Sequence, residues 1–234
     1  MFAVEKSNKS LSTEAYRTLR TNLQYSALDR EIKVILVTSS NPGEGKTTTA
    51  GNLAIVLAQD GKRVMLIDCD LRKANVHKQF KISNTVGLSE VLLGKETFFN
   101  SMTTHESGLH ILTCGKMPPN PAEMVGSKAM EKLLNDLRNR YDYIVLDTPP
   151  VQAVTDSKVL ATKSDGVVLV VRVEKTTKNI VLETKKELEK VNAKIIGTVL
   201  NGVSNKNGKN PYYYYGSRVE KNKKKKRIFS FLKG

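Results

Sequence analysis

The segment TSSNPGEGKTT, Thr38 to Thr48, lies between an apolar run, IKVILVT from Ile32, and a helical stretch from Thr47 to Gln59. A strand that passes through a glycine-rich turn straight into a helix constrains the fold more than any other feature of the chain. The free N–H groups of the helix and the positive end of its dipole point back at the turn, which makes an anion site. Gly43 and Gly45 carry no side chain, so the backbone there can approach phosphate oxygens closely. Lys46 is placed to bridge β- and γ-phosphates, and the Thr47 hydroxyl to bind Mg²⁺. Ser40, Asn41, Pro42, Gly43, Glu44, Gly45, Lys46, Thr47 and Thr48 are therefore the expected nucleotide-binding set, with ATP and Mg²⁺ as cofactors. The usual first glycine of such a loop falls at Ser40.

Five more apolar runs of strand length follow: RVMLID (63–68), LHILT (109–113), YIVLD (143–147), GVVLVV (166–171) and KIIGTVLN (194–201). Helical stretches separate them, most clearly at 128–139 and 177–191. This alternation predicts an α/β P-loop NTPase fold, a single domain with a mostly parallel central sheet and helices on both faces. Two runs end in acid, Asp68-Cys-Asp70 and Asp147-Thr-Pro-Pro. Parallel strands present their C-terminal ends on one edge, where ligands of this architecture bind, and an aspartate there can hold a metal directly or through water. Lys46, Asp68, Asp70 and Asp147 form the expected catalytic set, and Thr47, Asp68 and Asp147 the expected metal set. Asp68 is chosen to orient the acceptor hydroxyl and receive its proton. The competing view is that each aspartate only caps the helix or turn after it. Three such residues at two strand ends beside a P-loop make that the minority view.

At 234 residues the chain suits one well-buried α/β domain. No apolar run approaches the roughly 20 residues of a membrane-spanning helix, and Met1 to Thr13 lacks the apolar core of a signal peptide. A cytoplasmic protein is expected. Cys69 and Cys114 are too few for a disulfide framework or a zinc site and read as small buried residues. The division expected is an N-terminal helix in 1–30, a P-loop domain in 31–203 and a flexible tail in 204–234. The helix should run from Thr13 to about Leu28, with Ser12 or Thr13 as its cap. On it Tyr16, Leu19, Leu23 and Ala27 form an apolar stripe, and Glu14, Arg17 and Arg20 form a neighbouring charged one. Of the formal charge of +15, the tail holds +9, ten Lys or Arg against one Glu.

Together these residues resemble the bacterial tyrosine kinases of capsule and exopolysaccharide synthesis, as the cytoplasmic half of a two-protein system. The likeness rests on SSNPGEGKTT, VMLIDCDLRK and YIVLDTPP. It extends through GLSEVLLGK (87–95), CGKMPPNPAEMVGS (114–127) and VLNGV (199–203). One departure is Ala74, where the family usually has proline, which implies a looser turn. The resemblance implies an ATP-dependent protein-tyrosine kinase that phosphorylates its own C-terminal tyrosines in trans. It also implies a homo-oligomeric ring, octameric in the family, joined through Glu14, Arg17 and Arg20. A membrane-bound Wzz/CapA-like activator would be its partner, bringing it to the inner face of the plasma membrane, and polysaccharide export the process regulated. The phosphoacceptors are Tyr212, Tyr213, Tyr214 and Tyr215, about eight residues beyond the last strand, a linker that reaches about 26–29 Å when extended.

The rival is a ParA/MinD-like ATPase switch that assembles at a membrane without phosphorylating protein. That branch carries a second lysine where this chain has Asn41, and the tyrosine-rich tail has no place in it. A non-enzymatic scaffold fits poorly with Asp68, Asp70 and Asp147 all present. The closing KKKKRIFSFLKG sets five consecutive cations beside Ile228, Phe229, Phe231 and Leu232, a composition suited to an anionic membrane surface and about equally to a solubilising tail. No base-reading module points to a specific nucleic acid.

Overall fold

β-Branched and aliphatic residues alternate through the central strands so that successive side chains enter two different cores. In β1 (Val34–Ser39), Val34 and Leu36 join one cluster while Ile35 and Val37 join the other. The same split occurs in β2 (Val64–Asp68) and in β5 (Tyr143–Asp147). Strands buried on both faces read as unbroken apolar runs, which is why run length, without alternation, marks them in the sequence. The computed structural model describes residues 2–6, 10–26 and 31–203. The chain divides into two compact units, 1–201 and 202–234, and the sheet with all its helices belongs to the first.

Chain order runs α1 (Ala3–Lys6), α2 (Leu11–Ser26), β1, α3 (Lys46–Gln59), β2, α4 (Val76–Phe80), α5 (Leu88–Leu92), α6 (Phe98–Ser101), β3 (Met102–Thr104) and β4 (His110–Leu112). It continues through α7 (Pro121–Gly126), α8 (Lys128–Arg138), β5, α9 (Asp156–Ala161), β6 (Gly166–Arg172), α10 (Lys178–Glu189) and β7 (Ile195–Asn201). The sheet has seven strands in the order β3-β4-β2-β5-β1-β6-β7, and only the β3–β4 pair is antiparallel. The expected α/β P-loop architecture is therefore present. β3 was not foreseen: three residues, none of them buried, leave almost no apolar signal.

One core is formed with residues of α1, α2, α3 and α4, the other with residues of α5, α7, α8 and α9. The helix that follows the glycine-rich turn, α3, lies almost wholly within the first core, with Leu53, Ile55 and Leu57 fully buried. A Leu→Ala change at such a site costs about 2–5 kcal/mol.

The N-terminal residues do more than the sequence suggested. Phe2 and Val4 are buried, and the Val4 N–H donates to Asn52 Oδ1 of α3 at 3.1 Å. The Phe2 ring lies so close to Gly51 that a Cβ there would come within 2.2 Å of it. On α2 the expected stripe is in place: Leu23 is buried, and Tyr16 and Leu19 pack against the α3-side core. Ala27 and Leu28 lie outside the described residues. The cap, however, is Ser10, whose Oγ accepts the Thr13 N–H at 3.1 Å. Ser12 and Thr13 are already inside the helix, and Thr13 Oγ1 instead donates to the Ala3 carbonyl at 3.2 Å. Both cysteines are free and buried, as read.

Candidate active site

β1 and β5 pair in parallel, and β2 lies on the other side of β5, so three strand ends meet at one edge of the sheet. β1 leads into the glycine-rich loop. Gly43 and Gly45 have φ of 76° and 98°, in the left-handed region that disfavours any other residue. Gly45 is also closely covered: a Cβ there would fall 2.0 Å from Asn201 Nδ2. Ser40 is not among the residues with positive φ, so serine stands at the usual first-glycine position without backbone strain. Its hydroxyl lies 2.8 Å from that of Thr184 on α10. Asn41 and Pro42 continue the loop, and the Ser39 hydroxyl donates to the Asn41 carbonyl at 2.8 Å. Lys46, Thr47 and Thr48 form the first turn of α3, with Lys46 largely buried.

Asp68 and Asp147 are paired residues at the ends of β2 and β5. Both are buried, and their surroundings differ. Asp68 Oδ2 accepts the N–H groups of Asn75 and Val76, each at 3.0 Å, and Oδ1 accepts the Asp70 N–H at 3.2 Å. Burial, and next the Asp147 charge beside it, push the Asp68 carboxyl well above the ordinary carboxylate range; the Val76 and Asn75 bonds work against this. Asp147 Oδ1, by contrast, is buried and has no hydrogen-bond partner among the described residues. Burial pushes Asp147 up to about 7, opposed by the Thr47 hydroxyl and the Lys46 ammonium. Asp70 is less buried and uses Oδ1 to accept the Lys73 N–H at 3.0 Å.

An orphaned, buried carboxylate oxygen beside a threonine hydroxyl is a donor set that suits a hard divalent cation. Thr47 and Asp147 together thus fit Mg²⁺, while Asp68 already accepts three backbone N–H groups and offers it less. The turn at Ala74, expected to be looser without proline, is tied down by those bonds from Asn75 and Val76. Arg72 Nε and Nη2 donate to the buried Asp156 at 3.1 and 3.2 Å. That clamp between the residues after β2 and those after β5 went unread, although an arginine two residues past an acidic strand end was a usable signal.

Glu14 and Arg17 pair at 2.6 Å on α2. Arg20 reaches back to its own α3 side, 2.9 Å from Asp60, and donates to the Val56 carbonyl at 3.4 Å. Tyr212, Tyr213, Tyr214, Tyr215 and the basic tail lie outside the described residues.

Residues 32–199 match the AAA domain family. Over 211 residues the chain is 44% identical to tyrosine-protein kinase YwqD of Bacillus subtilis (strain 168), covering 90% of this chain and 89% of that protein. The chain belongs to the bacterial tyrosine-protein kinase family. Putative tyrosine-protein kinase CapB of Staphylococcus aureus is 39% identical over 209 residues, 89% of this chain and 92% of its own. The crystal structure of the chimerical protein CapA2B2 has a TM-score of 0.82 at 38% identity, over 86% of this chain and 88% of that one. Among the described residues of this kinase, no helix is long and apolar enough to cross a membrane.

Proposed function

We propose that the chain transfers the γ-phosphoryl group of ATP to Tyr212, Tyr213, Tyr214 and Tyr215 of a neighbouring subunit, in the service of capsular or exopolysaccharide export. The observation that carries this is the unpartnered, buried Asp147 Oδ1 beside Lys46 and Thr47 at the end of a phosphate-binding loop. Phosphoryl transfer asks a protein for alignment and charge compensation more than for covalent chemistry. Lys46 and the amides that follow Gly43 would hold the phosphates, and Thr47 and Asp147 would hold Mg²⁺. When bound, the cation neutralises charge on the phosphate oxygens. Asp68 stays in the catalytic set as the residue that fixes the turn carrying Asp70. Asp70, less buried than Asp68, would be the better placed of the two to orient the tyrosine hydroxyl and take its proton.

The ring is part of the same proposal. Glu14 and Arg17 offer a charged face to another subunit, and Arg20 ties that face to α3 of its own chain. Each added phosphate brings about −1.5 to −2 charges to a tail of opposite sign, so labelling would loosen the assembly. The membrane-bound activator and the contact of the basic tail with an anionic leaflet belong to this reading too, supported by the family likeness and by the tail's composition.

The test mixes a Lys46→Met chain with an intact tail and an active chain truncated after residue 203, with ATP, Mg²⁺ and the activator's cytoplasmic segment. Mass spectrometry should find phosphotyrosine at 212–215 of the Lys46→Met chain. A tail that stays unlabelled here, while the intact wild type labels itself, rules out transfer between subunits. No labelling in either rules out the tail as substrate.

A further inference from the structure

Glu44 is completely buried in a loop whose ligand would be a polyanion. A carboxylate in that place repels phosphate, so it needs another reason to be there. Its Oε2 accepts the Ser40 N–H at 3.0 Å, a bridge across the loop from one end to the other. Its Oε1 accepts the Thr176 hydroxyl at 2.5 Å. Thr176 lies in the turn between β6 and α10 and is itself pinned there. Its N–H donates to the Arg172 carbonyl at 2.9 Å, and its hydroxyl oxygen accepts the Arg172 N–H at 3.2 Å. Within that turn Glu174 takes a φ of 64°, a conformation uncommon outside glycine. The next residue, Lys175, donates from Nζ to the Pro42 carbonyl at 3.3 Å. From the far side, Asn201 Nδ2 donates to the Glu44 carbonyl at 2.9 Å.

We infer that Glu44 and Thr176 are positioning residues: they hold the phosphate-binding loop from the β6–α10 turn, in the shape a nucleotide needs, before any nucleotide arrives. The inference rests on the nucleotide-binding reading above. Both oxygens of the carboxylate are occupied by donors, which blunts its charge toward the phosphates and leaves geometry as its contribution. A loop ordered in advance loses less conformational freedom on binding, and that appears as affinity. Thr176→Val keeps the side chain's shape and removes the donor, leaving Glu44 Oε1 unpartnered in a dry site. Thr176→Ser keeps the donor.

The experiment is calorimetric titration of the full chain with Mg²⁺·ADP for wild type, Thr176→Val and Thr176→Ser, with thermal unfolding of each in the absence of nucleotide. Thr176→Val orphans Glu44 Oε1 and the Arg172 N–H, so it should unfold a few degrees lower without nucleotide. At a temperature where it is fully folded, it is expected to bind about tenfold more weakly. Thr176→Ser should stay within about twofold of wild type in affinity and unfold with it. If wild type binds and Thr176→Val binds equally well, the brace has no bearing on the loop and the inference is wrong. It is equally wrong if Thr176→Ser fails to restore affinity. A wild type that binds no Mg²⁺·ADP overturns the nucleotide reading itself.

Discussion

The ends of β2 and β5 lie side by side, each closing on a buried aspartate, and the two are wired differently. At β2 the carboxylate accepts three backbone N–H groups and organises the turn into α4. At β5 the carboxylate keeps one oxygen without a partner among the described residues, next to Lys46 and Thr47. Identical residue types on neighbouring strands thus serve different ends. One carboxylate is tied to the backbone around it, and in the proposed mechanism the other is completed by the cation. A buried unsatisfied polar atom destabilises the protein that carries it, so the orphaned oxygen beside the loop calls for an explanation, which the proposed cation would supply.

Asp147→Asn is the strongest way to break the contrast. Loss of a metal-holding carboxylate should lower tyrosine phosphorylation by about 10³-fold or more, while the unfolding temperature without metal stays at or above that of wild type. Asp68→Asn should do the reverse. An amide that keeps its oxygen on the Asn75 and Val76 donors sets its NH2 against the Asp70 N–H, and the lost acceptor removes about 1–3 kcal/mol of stability, read as a drop of several degrees in unfolding temperature. Saturating Mg²⁺ should still raise that temperature in Asp68→Asn and should not in Asp147→Asn. Asp70→Asn separates the two roles at the β2 end, lowering the phosphorylation rate by about 10²-fold with little change in unfolding temperature.

The gentlest probe is pH. Asp147 holds its proton more tightly folded, at about 7, than at its ordinary value near 3.8. Its protonation therefore favours the folded state fully below about pH 4, and that support is lost as pH rises through about 7. The unfolding temperature of metal-free Asp147→Asn should accordingly gain on that of wild type between pH 4 and pH 8. A gap that stays constant over that range would place the titration elsewhere.

Much of this was legible in the sequence because the strongest physical signals are local. β1, β2, β5 and β6 are buried on both faces and read as apolar runs. Gly43 and Gly45 are glycines because their φ values demand it. Asp68 and Asp147 could be placed at one edge because both end parallel strands. What stayed hidden was non-local. The pairing of Glu44 with Thr176 spans 132 positions, and that of Arg72 with Asp156 spans 84. Polar partners at such separations leave no periodic trace. The N-terminal clasp escaped for another reason: Phe2 and Val4 are two apolar residues in a charged stretch, too few for a pattern, and their place shows only against Gly51 and Asn52 of α3. The differing surroundings of Asp68 and Asp147 left no trace either, because two of the donors on Asp68 come from backbone seven and eight residues on.

A crystal structure of the protein with Mg²⁺ and a non-hydrolysable ATP analogue tests the contrast most directly. It should show the cation on the Thr47 hydroxyl and facing Asp147 Oδ1, with Asp68 still bonded to the N–H groups of Asn75 and Val76. A cation seated on Asp68 with those bonds broken, or phosphates lying away from Lys46, would contradict the account.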